Sequence, residues 1–260
     1  MTILDQLASY ARERTLTAKR KLPLAAIKEK ACSLPKGDFS FEQALRKPGM
    51  SFICECKKAS PSKGVISPDF PYLTIAREYQ EAGADCISVL TEPKWFLGEN
   101  SYLEEIASCV SLPCLRKDFT VDEYMIYEAK SLGAAAVLLI CSILSPVQLK
   151  EYLQLCDELG LSALTEVHTE EETVTAIDAG ARIIGVNNRN LKDFSVDLDN
   201  SRRLRTLIPS DRIFVAESGI RSAEDIRALS EAGADAVLAG EALMRSPDKK
   251  ALLHTWRNCL

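Results

Sequence analysis

Apolar and polar positions along this chain fall into a repeating plan. The segments EAGADCISVL (81–90), SLGAAAVLLI (131–140), DAGARIIGVN (178–187) and EAGADAVLAG (231–240) each end a helical stretch at a glycine and then enter an apolar run. Glycine just beyond a helix tolerates the left-handed backbone that closes it. The intervals between these glycines are 50, 47 and 53 residues. Each interval holds one further apolar run: PCLRKDF (113–119), SALTEVH (162–168) and IFVAESG (213–219). With FICECK (52–57) ahead of them, the chain offers eight strands separated by segments of helical length and period. Eight such units predict an α/β protein with a parallel sheet closed as a (β/α)8 TIM barrel. No GxGxxG follows the first strand, as an open dinucleotide-binding sheet would require.

The first fifty residues have a different texture. Ile3, Leu4, Leu7, Ala8 and Ala11 recur at helical spacing, and a basic run from Arg12 to Lys21 follows, read as a solvated helix face. Further helices are predicted over Leu24–Cys32 and Phe39–Lys47, the latter stopped by Pro48-Gly49. The organisation expected is one domain, 1–260, with 1–50 a helical extension packed on a barrel formed by 51–260.

Composition narrows the function classes. The chain has 260 residues, the size of one such barrel, with 47% hydrophobic and 27% charged residues. A net charge of -5 argues against a general nucleic-acid binder. No run is long enough to span a membrane, and the N-terminus lacks a signal-peptide pattern, so a cytoplasmic location is expected. Nine scattered cysteines without CxxC spacing read as reduced core thiols, and two histidines make a zinc site a poor fit.

The candidate chemistry lies at the strand ends, where the active sites of such barrels form. In the first strand Glu55 and Lys57 share a face with Ile53, and opposite charges there need pairing or a solvent-facing mouth. The third strand ends in Arg116-Lys117-Asp118, the fifth in Glu166 with His168 just beyond, and the sixth in Asn187-Asn188-Arg189. The seventh ends in Glu217-Ser218-Gly219 and the eighth in Gly240-Glu241. The second and fourth end in Val89, Leu90, Leu139 and Ile140, which suggests a partly apolar wall. Glycines and helix starts after strands seven and eight predict an anion site, with helices beginning near Ser222 and at Gly240, the latter being the last. The loop 59–69, rich in Ser, Pro and Gly, is long for its place and is expected to close over a ligand, with Lys63 available to an anion. These residues alone leave open a sugar-phosphate barrel enzyme, an aldolase with Lys57 or Lys117 as nucleophile, and a non-catalytic phosphosugar-binding barrel.

ECKKASPSKG (55–64), LRKDF (115–119), LTEVH (164–168), GVNNRNL (185–191), AESGI (216–220) and AGEALM (239–244) resemble the indole-3-glycerol-phosphate synthase family, in that family's order. Cys54, Cys56 and Asn188 depart from its usual residues without removing a charge. The resemblance implies a carboxy-lyase of tryptophan biosynthesis that needs no metal or organic cofactor. Its substrate would be the small phosphorylated molecule 1-(2-carboxyphenylamino)-1-deoxyribulose 5-phosphate. The products would be indole-3-glycerol phosphate, carbon dioxide and water. It implies Lys117 as general acid, Glu166 as base, and Lys57, paired with Glu55, as second acid and clamp. Asn187 and Arg189 would lie near the substrate carboxylate, with Phe96 and Phe119 flanking its ring. Ser60, Ser218, Gly219, Gly240 and Glu241 would hold the phosphate, and Glu217 would complete the substrate-binding set. An acid lysine is expected to have its pKa lowered by burial or a neighbouring cation.

Overall fold

A computed structural model describes residues 2–190 and 193–260; Leu191, which ends the GVNNRNL motif, lies outside the described residues. Three helices lead: α1 (Ile3–Lys21), α2 (Leu24–Ser33) and α3 (Ser40–Leu45). Strand β1 (Ser51–Cys56) is followed by a small hairpin of β2 (Ala59–Ser60) and β3 (Gly64–Val65). Then come α4 (Tyr72–Glu81), β4 (Cys86–Leu90), α5 (Asn100–Cys109), β5 (Cys114–Lys117), α6 (Glu123–Ser131) and β6 (Ala136–Ile140). The chain continues with α7 (Pro146–Leu159), β7 (Ser162–Val167), α8 (Glu170–Ala179), β8 (Ile183–Asn187) and α9 (Asp199–Arg205). It finishes with β9 (Ile213–Glu217), α10 (Ala223–Glu231), β10 (Ala236–Ala239), α11 (Glu241–Arg245) and α12 (Lys249–Arg257).

The sheet closes in the order β1-β10-β9-β8-β7-β6-β5-β4. β1 pairs in parallel with β10, Ser51 opposite Ala236, and with β4, Ile53 opposite Cys86. All eight strands of the sequence reading form this (β/α)8 barrel. Gly83, Gly133, Gly180 and Gly233 all take positive φ, as the helix-closing reading requires.

Strand parity sorts the side chains into two layers. Ile53, Leu115, Leu138, Leu164, Ile183, Val215 and Leu238 point inward and pack with one another. Their neighbours Cys54, Cys114, Leu139, Val167, Ile184, Phe214 and Val237 pack against the surrounding helices. The leading helices join the inner layer. Phe41, Ala44 and Leu45 of α3 cluster with Ile53, Cys86 and Ala136, and the Glu42 N–H donates to Ser162 Oγ at 3.1 Å, sealing the N-terminal end. Leu7 of α1 belongs to the same cluster as Phe119 and Ile140 near the opposite end.

Five expectations are corrected by the structure. The third helix covers only Ser40–Leu45, because Phe39 sits in the left-handed region at φ 59°. The helix begun after Gly240 is not the last: α12 follows a break after Arg245. The basic run is not uniformly solvated, since Arg14 bonds Asp118 and Lys19 Nζ meets Asp122 at 2.7 Å, fastening α1 to the barrel. Arg116 does not reach the mouth. One residue from Lys117, it faces the helices and is 1% exposed, donating to Met125 O at 2.9 Å and Glu128 at 2.6 Å. Asn188 turns outward likewise, accepting from Ser201 Oγ at 2.8 Å.

Six of the nine cysteines are buried, and burial pushes the Cys114 and Cys141 thiols up to about 12. Among the described residues no helix is long and apolar enough to cross a membrane, and no cluster of His, Cys, Asp or Glu is placed to hold a metal ion.

Candidate active site

At the C-terminal ends of the strands a cavity of ≈ 370 Å³ opens, the size of a small-molecule pocket. All fourteen residues that the family resemblance assigns to the site line it: Glu55, Lys57, Ser60, Phe96, Lys117, Phe119, Glu166, Asn187, Arg189, Glu217, Ser218, Gly219, Gly240 and Glu241. Parity accounts for the strand-borne ones, because Glu55, Lys117, Glu166 and Glu217 each follow an inward apolar residue by two positions, and Asn187 follows inward Ile183 by four.

Lys117 stands at the centre. Its Nζ lies 2.9 Å from Glu166 Oε2 and 2.9 Å from Glu217 Oε2. Burial disfavours its charge, but Glu166 and Glu217, with Glu55 behind them, outweigh this and raise its pKa. That reverses the lowered lysine expected: its neighbours are carboxylates, not cations. One ammonium between two carboxylates neutralises only one of them. At Glu166 burial is overcome by Lys117 and His168, which hold the pKa below the usual carboxylate value, and Asn187 Nδ2 donates to Oε1 at 3.1 Å. At Glu217 burial, reinforced by the Glu166 charge, prevails over Lys117 and pushes the pKa up to about 7. Its Oε1 is buried and without a hydrogen-bond partner among the described residues. It fits only because residue 185 is glycine, since a Cβ there would strike this carboxylate.

A second pair stands across the mouth. Lys57 Nζ meets Glu55 Oε1 at 2.6 Å, and Ser88 Oγ donates to Glu55 Oε2 at 3.3 Å. A Cβ at Gly240 would press on both members, so glycine lets the backbone after β10 come close. The Arg189 N–H donates to Asn187 Oδ1 at 3.0 Å and its Nη1 to Phe194 O at 3.1 Å; burial lowers its pKa. Phe96 and Phe119 place their ring centroids 6.0 Å apart at 41° on the apolar side, with Leu90 and Ile140 nearby. Val89 and Leu139 pack outward instead.

After β9, Ser218 takes φ 67° and Gly219 φ 85°. A non-glycine residue held there costs of order 1–3 kcal/mol, strain that gathers at ligand-binding turns. α10 then starts at a capping box of Ser222 and Asp225, and α11 starts directly after Gly240. Arg221 and Arg245 also line the cavity, as do Ile3 and Leu7 of α1. Sequence reasoning missed these four. Arg221 was legible as a cation two residues beyond the Gly219 turn, whereas the α1 side chains reach the mouth only through tertiary packing.

Fold and mouth together define a (β/α)8-barrel enzyme with acid and base side chains gathered beside a turn suited to anions. The indole-3-glycerol phosphate synthase family model matches residues 4–256. An indole-3-glycerol phosphate synthase of Ruminiclostridium cellulolyticum is 55% identical over 252 residues, covering 96% of this chain and 97% of that protein. One of Lachnoclostridium phytofermentans is 48% identical, covering 99% and 100%. Among solved structures, a 3-hexulose-6-phosphate synthase superposes with a TM-score of 0.65 at 16% identity, covering 81% of this chain and all of that one, a likeness of fold alone. The chain belongs to the indole-3-glycerol phosphate synthase family, whose members are carboxy-lyases of tryptophan biosynthesis.

Proposed function

We propose that this mouth closes the indole ring of 1-(2-carboxyphenylamino)-1-deoxyribulose 5-phosphate with Lys117 as its general acid. The observation that carries the reading is Lys117 between Glu166 and Glu217, two contacts of 2.9 Å that keep the ammonium charged and aimed inward. As the aromatic carbon attacks the ribulose carbonyl, Lys117 gives its proton to the carbonyl oxygen. Carbon dioxide then leaves and restores the aromatic ring. The new hydroxyl departs as water with an acid's help, while Glu166, held ionised, takes the proton that completes the indole. Lys57, oriented by Glu55, is the second acid and clamp.

The remaining residues hold the substrate. Asn187 and Arg189 meet its carboxylate, and Phe96 and Phe119 flank its ring. Ser60, Ser218, Gly219, Gly240 and the Glu241 N–H hold the phosphate. Glu217, which lines the cavity beside Lys117, completes the substrate-binding set. The setting we propose is the cytoplasm, with neither nucleic acid nor membrane as partner, in keeping with the net charge of -5. A Schiff base at Lys117 would need the free amine, which the two carboxylates oppose.

Mixing the purified chain with the substrate tests this. Indole fluorescence and carbon dioxide are expected to appear in step, and borohydride is expected to trap no adduct. Substrate bound but returned unchanged would favour a binding protein, and a trapped adduct would favour the aldolase.

A further inference from the structure

The two oxygens of Glu166 have different partners. Oε2 faces Lys117, while Oε1 accepts from Asn187 and lies 3.4 Å from His168 Nε2. That nitrogen is buried and hydrogen-bonds to nothing among the described residues. The other ring nitrogen, Nδ1, lies 3.4 Å from Glu172 Oε2, and the same oxygen accepts the His168 backbone N–H at 2.7 Å. Glu172 is thereby pinned beside the imidazole. Asn200 Nδ2 donates to the carbonyls of Asn187 at 3.2 Å and His168 at 3.5 Å, tying together the chain beyond β7 and β8. His168 does not line the mouth; it lines a separate cavity of ≈ 570 Å³ behind Glu166.

We propose that His168 is a positioning residue: as an imidazolium held by Glu172, it is the rear counter-ion of Glu166, keeping the base ionised when Lys117 gives its proton to the substrate. The inference rests on the reading of Glu166 as base and Lys117 as acid. Once Lys117 is neutral, Glu166 and Glu217 face each other with no cation between them, and like charges at such range force one to take a proton. Among the described residues the imidazolium is the cation that remains within ion-pair range of Glu166, and it stands on the side away from the substrate. The charged groups around it favour this state. Glu166 and Glu172 face it directly, Glu217 and Lys117 stand across the mouth, and Asp5, Asp197, Arg189 and Arg203 surround the rear cavity. Burial disfavours the imidazolium, but the hydrogen bond to Glu172 and the charges of Glu166, Glu172 and Glu217 outweigh it, so the His168 pKa is raised.

Coupling between two titrating groups is reciprocal, so it can be read at the histidine. The chain has two histidines, and His254 is exposed on α12, so an NMR titration follows two separate imidazoles. The His168 midpoint is expected above the ordinary imidazole range and to fall by about one pH unit in Glu166→Gln and again in Glu172→Gln. A midpoint that ignores Glu166→Gln overturns the proposal. In kinetics, His168→Gln is expected to move the acid limb of kcat/KM upward by about one pH unit, roughly a tenfold loss below the limb and little above it. An equal loss at every pH would mark a merely structural role and overturn it. Full turnover by Glu166→Gln would instead remove the base reading, and the inference with it, whatever the NMR midpoint does. Should His168→Gln not fold, the titrations of wild type and Glu166→Gln still decide.

Discussion

Lys117, Glu166 and Glu217 share one ammonium between two carboxylates, and the pH behaviour of the protein follows from that imbalance. Glu217 has its folded pKa pushed up to about 7 from an ordinary 4.5. Its contribution to stability is fully present below the unfolded value and is lost as pH rises through the folded one. Glu217→Gln is therefore expected to flatten the fall in Tm between about pH 5 and about pH 8, measured by calorimetry. Glu166 runs the other way. Its lowered pKa stabilises the fold above the unfolded value, and that support is lost as pH falls. Cys54 and Cys56, almost wholly buried with thiols raised by burial, are expected to resist alkylation in the native protein, whereas exposed Cys32 reacts. Peptide mapping after native labelling checks this, and label on Cys54 without unfolding would contradict it. Much of this scale was legible in the sequence. Their place at strand ends marked Glu55, Lys117 and Glu166 in the sequence, and alternation, applied there only to Glu55 and Lys57, turns Arg116 and Asn188 outward. The direction of the Lys117 shift was not legible, because it depends on Glu166 and Glu217 arriving from strands far away in sequence.

Elements account for the eight strands being readable and for what was not. Each strand is a short apolar run bounded by a helix-closing glycine or a polar mouth residue, both local signals. The start of α3 depends on a backbone turn at Phe39 that carries no such signal, whereas the split between α11 and α12 falls at Ser246-Pro247, a local helix stop that went unread. α3 is only six residues long, yet it seals the N-terminal end of the barrel with Phe41 fully buried. Phe41→Ala is expected to cost about 3–5 kcal/mol in denaturant unfolding while leaving kcat of the folded fraction unchanged. The loop 59–69 carries the β2–β3 hairpin, and Lys63 Nζ lies 3.7 Å from Glu241 Oε1 across the mouth. A partly exposed pair at that distance holds weakly, so the hairpin can close further on a ligand. Its amide exchange is expected to slow when a substrate analogue binds; rates unchanged by the analogue would remove the lid from the account.

The whole molecule brings distant residues to one mouth. The extension, whose texture marked it apart in the sequence, joins that mouth as well: Leu7 lines the cavity, and Arg14 bonds Asp118, the residue after Lys117. The central claim is that the cation gathered there drives ring closure as an acid. Single-turnover indole fluorescence with wild type and Lys117→Ala, both shown to be folded and to bind substrate, tests it most directly. A fluorescence rise is expected in wild type, with a loss of at least about a hundredfold in the variant, the usual scale of a general acid. Equal rates in the two proteins would contradict it.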